Sequence, residues 1–196
     1  MERVSFDKLV AVVGGQIMSR ITANPDAGDE VVETRKVLIP KSISADGSID
    51  IAVLPEEDLK VEADPKKTTK AGDIVMKLSP PYDAGLVTEA TQGCLVPSFC
   101  AIIRPTSDVD VQYLLAFMNS TLCKNQLQSQ VSGSVMTVLS VGKVKNVNMP
   151  LPPIDEQRKI GQRYMESQRK LSIIRQIAQL ESKRNDIVFK ELERSI

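Results

Sequence analysis

Apolar residues recur every three or four positions from Ile154 to the C-terminus, and this spacing predicts one long helix. The proline-rich segment 150–153 ends whatever precedes it, and Asp155 and Glu156 then supply the negative charge that a helix N-terminus favours. No proline follows, and Gly161 is the only glycine in the rest of the chain. Such a helix extends about 60 Å at ~1.5 Å per residue, which exceeds the span of a small domain.

Two apolar stripes run along this predicted helix, which indicates two neighbours rather than one. Because a small domain can cover only part of the helix, we expect the remainder to pack against another chain. The alternative is a helix that lies along its own domain. The residues predicted to make this contact are Ile160, Tyr164, Leu171, Ile174, Ile177, Ala178, Leu180 and Ile187.

Short patterns upstream of the prolines predict one mixed domain over residues 1–152, followed by the helical unit 153–196, so the fold class is α+β. Apolar runs between turn residues predict strands at 35–39, 49–54, 74–78, 86–89, 94–104, 136–141 and 144–149. Helical patterns lie at 7–12, 55–59 (one turn), 111–118 and 121–130, extended chain at 16–21 and a hairpin turn at 46–47. Asp108 or Asp110 is the expected cap of the helix that begins at Val111.

The formal net charge is zero but is unevenly distributed. Residues 1–110 hold 12 Lys and Arg against 18 Asp and Glu, whereas residues 111–196 hold 13 against 7. Within the second part, residues 111–154 contain three lysines and no acid. This pattern favours a surface that faces a polyanion. A helix pair packed on the core is the plainer explanation.

Several classes of function lose support from composition. The chain has no histidine, which excludes His-based acid–base catalysis, Ser–His and Cys–His nucleophiles and His-containing metal sites. Three cysteines cannot all pair, which predicts a reducing cytoplasm. No stretch approaches the ~20 apolar residues of a membrane span. Composition therefore favours a cytoplasmic protein without a membrane partner and weakens the case for an enzyme. No residue of the chain is predicted to be catalytic or to bind a metal or cofactor.

Side chains that can read base edges are concentrated between Asn119 and Asn148. The stretch is rich in amide and hydroxyl groups, and its Lys143 and Lys145 suit phosphate contacts. An ordinary polar surface explains the same composition.

Gly14-Gly15 stands beside Gln16, Ser19 and Arg20 near the start of the chain. The segment is too short for a nucleotide-binding loop and lacks the residues of one. The glycine pair therefore marks either a plain turn or a close approach to a nucleic-acid backbone.

The run Ser79-Pro80-Pro81-Tyr82 follows an apolar strand and resembles the catalytic loop of amino-methyltransferases, in which an aromatic ring stacks on a flipped base. The chain lacks the glycine-rich turn of a cofactor site and the strand–helix alternation of a doubly wound fold. A proline-stiffened loop is the alternative, so a methyltransferase fragment is a secondary hypothesis.

Four segments, taken in order, resemble the specificity subunits of type I restriction-modification systems. Pro150–Ile160 is similar to the junction between a target recognition domain and its spacer helix, and Lys70–Met76 to the strand "lkxGDil". Tyr113–Ser120 is similar to the helix "YLyxxlxS" of that domain. Ser132-Gly133-Ser134 with Leu139-Ser140 resembles the loop that follows it.

The resemblance implies a non-catalytic subunit, here in half-length form with one recognition domain, that reads part of an interrupted site in double-stranded DNA. It implies a modification subunit that methylates adenine with S-adenosylmethionine and an ATP-powered restriction subunit as partners. Because a full specificity subunit separates two recognition domains by antiparallel helices, the resemblance implies that two copies of this chain pair through the long helix as an antiparallel coiled coil. The alternative is a truncated or partner-dependent form. A spacer of ~60 Å matches roughly 18 base pairs. An adaptor without a role on DNA is the remaining alternative. The residues expected to contact DNA are Gln16, Ser19, Arg20, Lys77, Tyr82, Ser132, Ser134, Lys143 and Lys145.

Overall fold

The structure is a computed structural model that describes residues 3–106, 108–131 and 138–194, with side chains up to residue 184 and at Ile187. Its strands are β1 (Arg3–Ser5), β2 (Val10–Gly14), β3 (Glu33–Lys36), β4 (Glu56–Leu59), β5 (Ile74–Lys77), β6 (Ala84–Leu86), β7 (Cys100–Pro105) and β8 (Asn148–Pro150). Its α-helices are α1 (Val111–Met118), α2 (Thr121–Ser129), α3 (Val141–Lys145) and α4 (Ile154–Arg194). Short 3₁₀ turns lie at Phe6–Lys8, Met18–Arg20, Pro25–Ala27, Pro40–Ser42, Ile51–Val53, Pro65–Lys67 and Glu89–Thr91. The α+β class and the long C-terminal helix are confirmed.

A four-stranded antiparallel sheet in the order β2–β7–β5–β6 forms the centre of the domain. Its central strands are buried on both faces, which explains their continuous apolar sequences. On one face Met76 and Ile103 join the cluster that contains Leu114 of α1. On the other, Val75 and Ile102 belong to a separate apolar cluster. Each strand therefore contributes alternate side chains to two cores.

Two predicted helical segments are strands in the structure. Residues 10–12, placed in a helix at 7–12, belong to β2, which pairs with β7 along its whole length. Residues 56–59, placed in a helical turn, form β4, where Glu57 faces Arg35 and Asp58 accepts a 2.6 Å hydrogen bond from Thr34. Both strands are four or five residues long, too short for apolar spacing to separate a period of two from one of 3.6.

Two predicted strands contain helical turns because a local side chain caps them. In the segment 49–54, the Asp50 carboxylate accepts from the backbone of Ala52 at 3.0 Å and a 3₁₀ turn follows. In the segment 144–149, Ser140 caps α3, so only β8 remains extended. Such caps give the backbone an alternative to a strand ladder.

Other boundaries move by less. The predicted strand at 94–104 begins at Cys100, that at 86–89 ends at Leu86, and the extended segment 16–21 contains a 3₁₀ turn. Part of the predicted strand 136–141 lies outside the described residues.

The N-terminus of α1 fastens the start of α4. The Asp110 carboxylate caps α1 by accepting from the backbone N–H of Tyr113 at 2.8 Å. The backbone N–H of Asp110 donates to Gln157 Oε1 on α4 at 3.0 Å, and Gln157 Nε2 donates to the carbonyl of Pro152 at 2.8 Å. Asp110 is therefore the cap of α1, and it lies where the N-terminal domain meets α4.

Candidate functional site

The end of the sheet at which β2 stops and β7 begins is held together by backbone hydrogen bonds between loops. Gln16 N donates to Val96 O at 2.6 Å, and Ser98 N donates to Gln16 O at 2.8 Å. Leu78 N donates to Phe99 O at 2.9 Å, and Leu139 N to Leu78 O at 2.7 Å. Segments far apart in sequence thus lie side by side at this end.

We call the surface at this end the loop face. Three large apolar side chains are exposed on it: Ile17 at 42%, Phe99 at 64% and Val138 at 42%. Its members are Gln16, Ile17, Ser19, Arg20, Ser98, Phe99, Val138, Ser140 and Lys143.

Lys143 is assigned to the loop face because it lies on α3, which begins beside the end of β2. A Cβ placed on Gly14 would lie 3.1 Å from Val141 Cγ2. Within the described residues, neither Lys143 nor Arg20 has a carboxylate within 4.0 Å. Their charges are therefore free to meet an anion.

Gly15 serves the protein's own packing. A Cβ at this position would overlap the carbonyl of Pro97. The glycine is therefore required so that the backbone of Gln16 can pair with the turn at 97–100. This explains the glycine pair by a close approach within the chain, where the sequence allowed for a nucleic-acid backbone.

Lys77 reaches this end of the sheet but its charge is already paired. Its Nζ lies 3.0 Å from Asp83 Oδ2, and Lys124 Nζ lies 2.8 Å from Asp83 Oδ1. Burial raises the pKa of Asp83, but hydrogen bonds from the two lysines outweigh burial and hold that pKa below its ordinary value. Lys77 therefore stabilises the β5–β6 turn.

Tyr82 is buried, with 3% of its surface exposed. Its hydroxyl has no hydrogen-bond partner in the described part of the chain, and burial raises its pKa. A ring in this position packs in the core with Leu78 and Ala84. It has no free face on which a nucleobase could stack in this conformation, contrary to its predicted exposure in a binding loop.

Of the other residues predicted to contact DNA, one is described by the structure and two are not. Lys145, the last residue of α3, is exposed. Ser132 and Ser134 lie outside the described residues. The sequence reading missed Phe99; its signal was the Pro97-Ser98 turn that interrupts an otherwise continuous strand pattern.

A second candidate surface lies on α4. Residues 154–172, here called the base, contact the domain through Gln157, Gly161, Tyr164 and Met165. Tyr164 was predicted to contact a second copy, but its Oη accepts a 3.1 Å hydrogen bond from Asn119 of the same chain.

The remainder of α4 is here called the outer part, and its described side chains are exposed, although Arg175 Nη1 near its start lies 4.0 Å from Asp46 Oδ2 of the domain. Its large apolar residues Ile173, Ile174, Ile177, Leu180 and Ile187 are 49–65% exposed. At ~100° per residue, Ile177 lies on the side of the helix opposite to the domain contacts of the base, and the other four lie to either side of it. The exposed members of the predicted contact set also include Ile160, Leu171 and Ala178.

Within residues 3–106, 108–131 and 138–194, no group of three or more Cys, Asp or Glu side chains could hold a metal ion. No helix in the same ranges combines the length and hydropathy that crossing a membrane requires.

Comparisons with known proteins identify relatives of the chain. The family described as type I restriction modification DNA specificity domain matches residues 33–182. The EcoKI type I restriction enzyme specificity subunit of Escherichia coli (strain K12) is 26% identical over 70 residues, which cover 36% of this chain and 15% of that subunit.

Two solved structures share the fold. The HsdS subunit from Thermoanaerobacter tengcongensis superposes with a TM-score of 0.61 at 20% identity. A chain in a structure on complex assembly and conformational transition of the type I R-M system gives 0.67 at 19% identity. Each match covers 93% of this chain and 46% of the other, so the chain spans about half the length of these relatives.

Proposed function

The chain belongs to the family of type I restriction-modification DNA specificity domains, and we propose that it reads one half of an interrupted DNA site through the loop face. In this role it directs a modification subunit and a restriction subunit to the site in the cytoplasm and performs no chemistry itself. S-adenosylmethionine and ATP are used by those partners.

The loop face is the observation that supports DNA reading. It combines two cations without carboxylate partners, Arg20 and Lys143, with amide and hydroxyl groups at Gln16, Ser19 and Ser98. Cations position a protein on phosphates, and amide or hydroxyl groups read base edges. These groups stand on loops and short helical turns at one end of the sheet, where specificity can vary without cost to the core.

We further propose that the outer part of α4 pairs antiparallel with the same helix of a second copy. Ile173, Leu180 and Ile187 are seven residues apart and symmetric about Leu180. Antiparallel alignment about Leu180 places Ile173 of one copy opposite Ile187 of the other. The two Gly161 positions would then lie about 57 Å apart, or ~17 base pairs. Two identical domains would read inverted half-sites on either side of an unread gap.

The methyltransferase hypothesis loses its main support because Tyr82 is buried. The adaptor hypothesis keeps one observation in its favour, the exposed apolar side of the outer part. A measurement of DNA binding distinguishes the DNA-recognition proposal from the adaptor hypothesis.

The test of DNA reading uses the full chain with its modification subunit. Methylome sequencing of the host, with and without the chain, gives the motif, and a duplex that carries it gives the affinity. We expect Arg20→Ala and Lys143→Ala each to weaken binding and to lower the salt slope by about 1. Absence of any motif or any binding by the wild-type complex would sink the proposal and leave the adaptor.

The test of pairing is the solution mass of the full chain. We expect a dimer that Leu180→Glu converts to a monomer, while Gln179→Glu, a matched charge on the neighbouring side of the helix, leaves the dimer intact. A cross-link between Ile173→Cys in one copy and Ile187→Cys in the other reports antiparallel alignment. A cross-link of Ile187→Cys with itself instead would show parallel alignment and contradict the spacing.

A further inference from the structure

Phe99 is the one exposed aromatic side chain among those that the structure describes. Tyr82, Tyr113, Phe6 and Phe117 are buried in the domain, whereas 64% of Phe99 is in contact with solvent. Leaving most of a Phe ring in water forgoes about 1.5–3 kcal/mol of burial. A ring in this position calls for a partner outside the chain.

The backbone holds Phe99 in one place. The residue stands in a tight turn in which Cys100 N donates to Pro97 O at 2.9 Å. Phe99 O accepts from Leu78, and the preceding N–H, that of Ser98, donates to Gln16 O. The ring is therefore presented on a fixed support, so little conformational entropy is lost when it meets a partner.

The surroundings of the ring identify the chemistry of that partner. Ile17 and Val138 expose further apolar surface on the loop face, and Arg20 and Lys143 belong to the segments that follow Ile17 and Val138 in the chain. An exposed apolar side chain on a surface whose segments also carry cations complements duplex DNA, whose phosphates lie outside its stacked bases. Phe and Ile are among the side chains that proteins insert between base steps.

We propose that Phe99 is a wedge that enters between two base pairs of the half-site and unstacks them. This inference rests on the proposed function and adds to it a second way of reading sequence. A wedge favours steps that unstack cheaply, such as TA and CA/TG, so part of the specificity comes from deformability rather than from hydrogen bonds.

The experiment scans 2-aminopurine through the half-site of the duplex found by methylome sequencing, at adenines other than the methylated one. The wild-type chain with its modification subunit should raise the fluorescence at one step only. Phe99→Ala should abolish that rise and weaken binding by about 10- to 100-fold. Its salt slope should stay unchanged, because no phosphate contact is lost.

Two control variants frame the result. Phe99→Leu keeps an apolar wedge and should retain the fluorescence rise. Val32→Ala removes an apolar side chain that is 53% exposed elsewhere in the domain and should change neither signal nor affinity. Thermal unfolding of each variant checks that the fold is intact.

The possible outcomes distinguish failure of the Phe99 wedge from failure of the proposed DNA recognition. If the wild-type complex binds no DNA, the proposed function fails first. If it binds, and Phe99→Ala binds as tightly with the same fluorescence, only the wedge is wrong. If replacing thymine by uracil weakens binding and no step unstacks, Phe99 contacts a methyl edge and the wedge is overturned. If Phe99→Ala loses the modification subunit without DNA, the ring is a protein contact and the wedge is overturned too.

Discussion

The base and the outer part of α4 belong to one uninterrupted helix, yet they differ in which types of residue are buried. In the base, the most buried residues are Gln157 and Gly161, a polar side chain and no side chain at all. In the outer part, large apolar residues such as Ile174 and Leu180 are 60% and 65% exposed. Apolar character alone would assign these environments the other way round.

The difference shows what fixes the helix to its domain. Gln157 bridges the N-terminus of α1 and the proline segment, and Gly161 lets the two helices approach to backbone contact. The base therefore uses geometry and directed hydrogen bonds. The outer part exposes large apolar side chains to solvent, which suits packing against another helix more than against the domain.

The largest effect is expected at Gly161. A Cβ there would lie 2.6 Å from the backbone N of Tyr113 and 2.7 Å from Asp110 Oδ1, so neither neighbour can yield without loss of the α1 cap. Gly161→Ala should destabilise the chain by about 2–3 kcal/mol in urea unfolding, despite the helix propensity of alanine.

Gly142→Ala on α3 is the matched control, because the nearest atom to its Cβ, Ser140 Oγ, is 3.9 Å away. This variant should be stabilised by about 0.5–1 kcal/mol. Equal signs for the two substitutions would mean that the base does not depend on close approach.

The next effect is expected at Gln157, which is 3% exposed. Gln157→Leu keeps the volume but leaves the Asp110 N–H and the Pro152 carbonyl without their partner, at a cost of about 1–3 kcal/mol. Gln162→Leu, on an exposed side of the same helix, should change the unfolding free energy by less than about 0.5 kcal/mol. Similar losses at both positions would contradict the bridging role.

A smaller effect is expected in the outer part. At protein concentrations too low for pairing, Ile174→Ser and Ile177→Ser should each change stability by less than about 0.5 kcal/mol. At high concentration the wild type should gain stability from self-association, and the double variant should not. Thermal unfolding over a hundredfold concentration range measures this, and a concentration-independent wild type would remove the contrast between the two parts.

The smallest effect concerns pH and Tyr164 of the base. Burial, together with the charges of Asp46 and Asp83, raises the pKa of its phenol, although the hydrogen bond from Asn119 opposes this. The unfolded chain therefore ionises first, and stability is complete below about pH 10 and falls as the pH rises through the native pKa. Tyr164→Phe should show a shallower fall in urea midpoint above pH 10. An identical slope in both proteins would mean that the phenol is not shielded by the base.

The sequence alone established the parts of the fold that depend on neighbouring residues. The long helix, a cap at Asp108 or Asp110, both short helices near 111–130 and the strand at Ile74 follow from local spacing, turn residues and capping. The structure has all of them, with Asp110 as the cap. The family resemblance was also present in four short segments, and the family match over residues 33–182 confirms it.

Only the tertiary structure decided the features that depend on distant partners. β4 is a strand because β3 lies beside it, and Tyr82 is buried because the core closes over its loop. The side of α4 that meets the domain was decided by its packing on α1. Close approach of the two helices requires Gly161, and the backbone N–H of Asp110 requires the side-chain amide of Gln157 as its acceptor. Phe99 could be recognised as an exposed side chain only from the structure, in which the sheet brings the segments of Gln16, Leu78 and Leu139 to its turn. Local sequence specifies the conformation of a segment, but burial is a property of everything that packs against it.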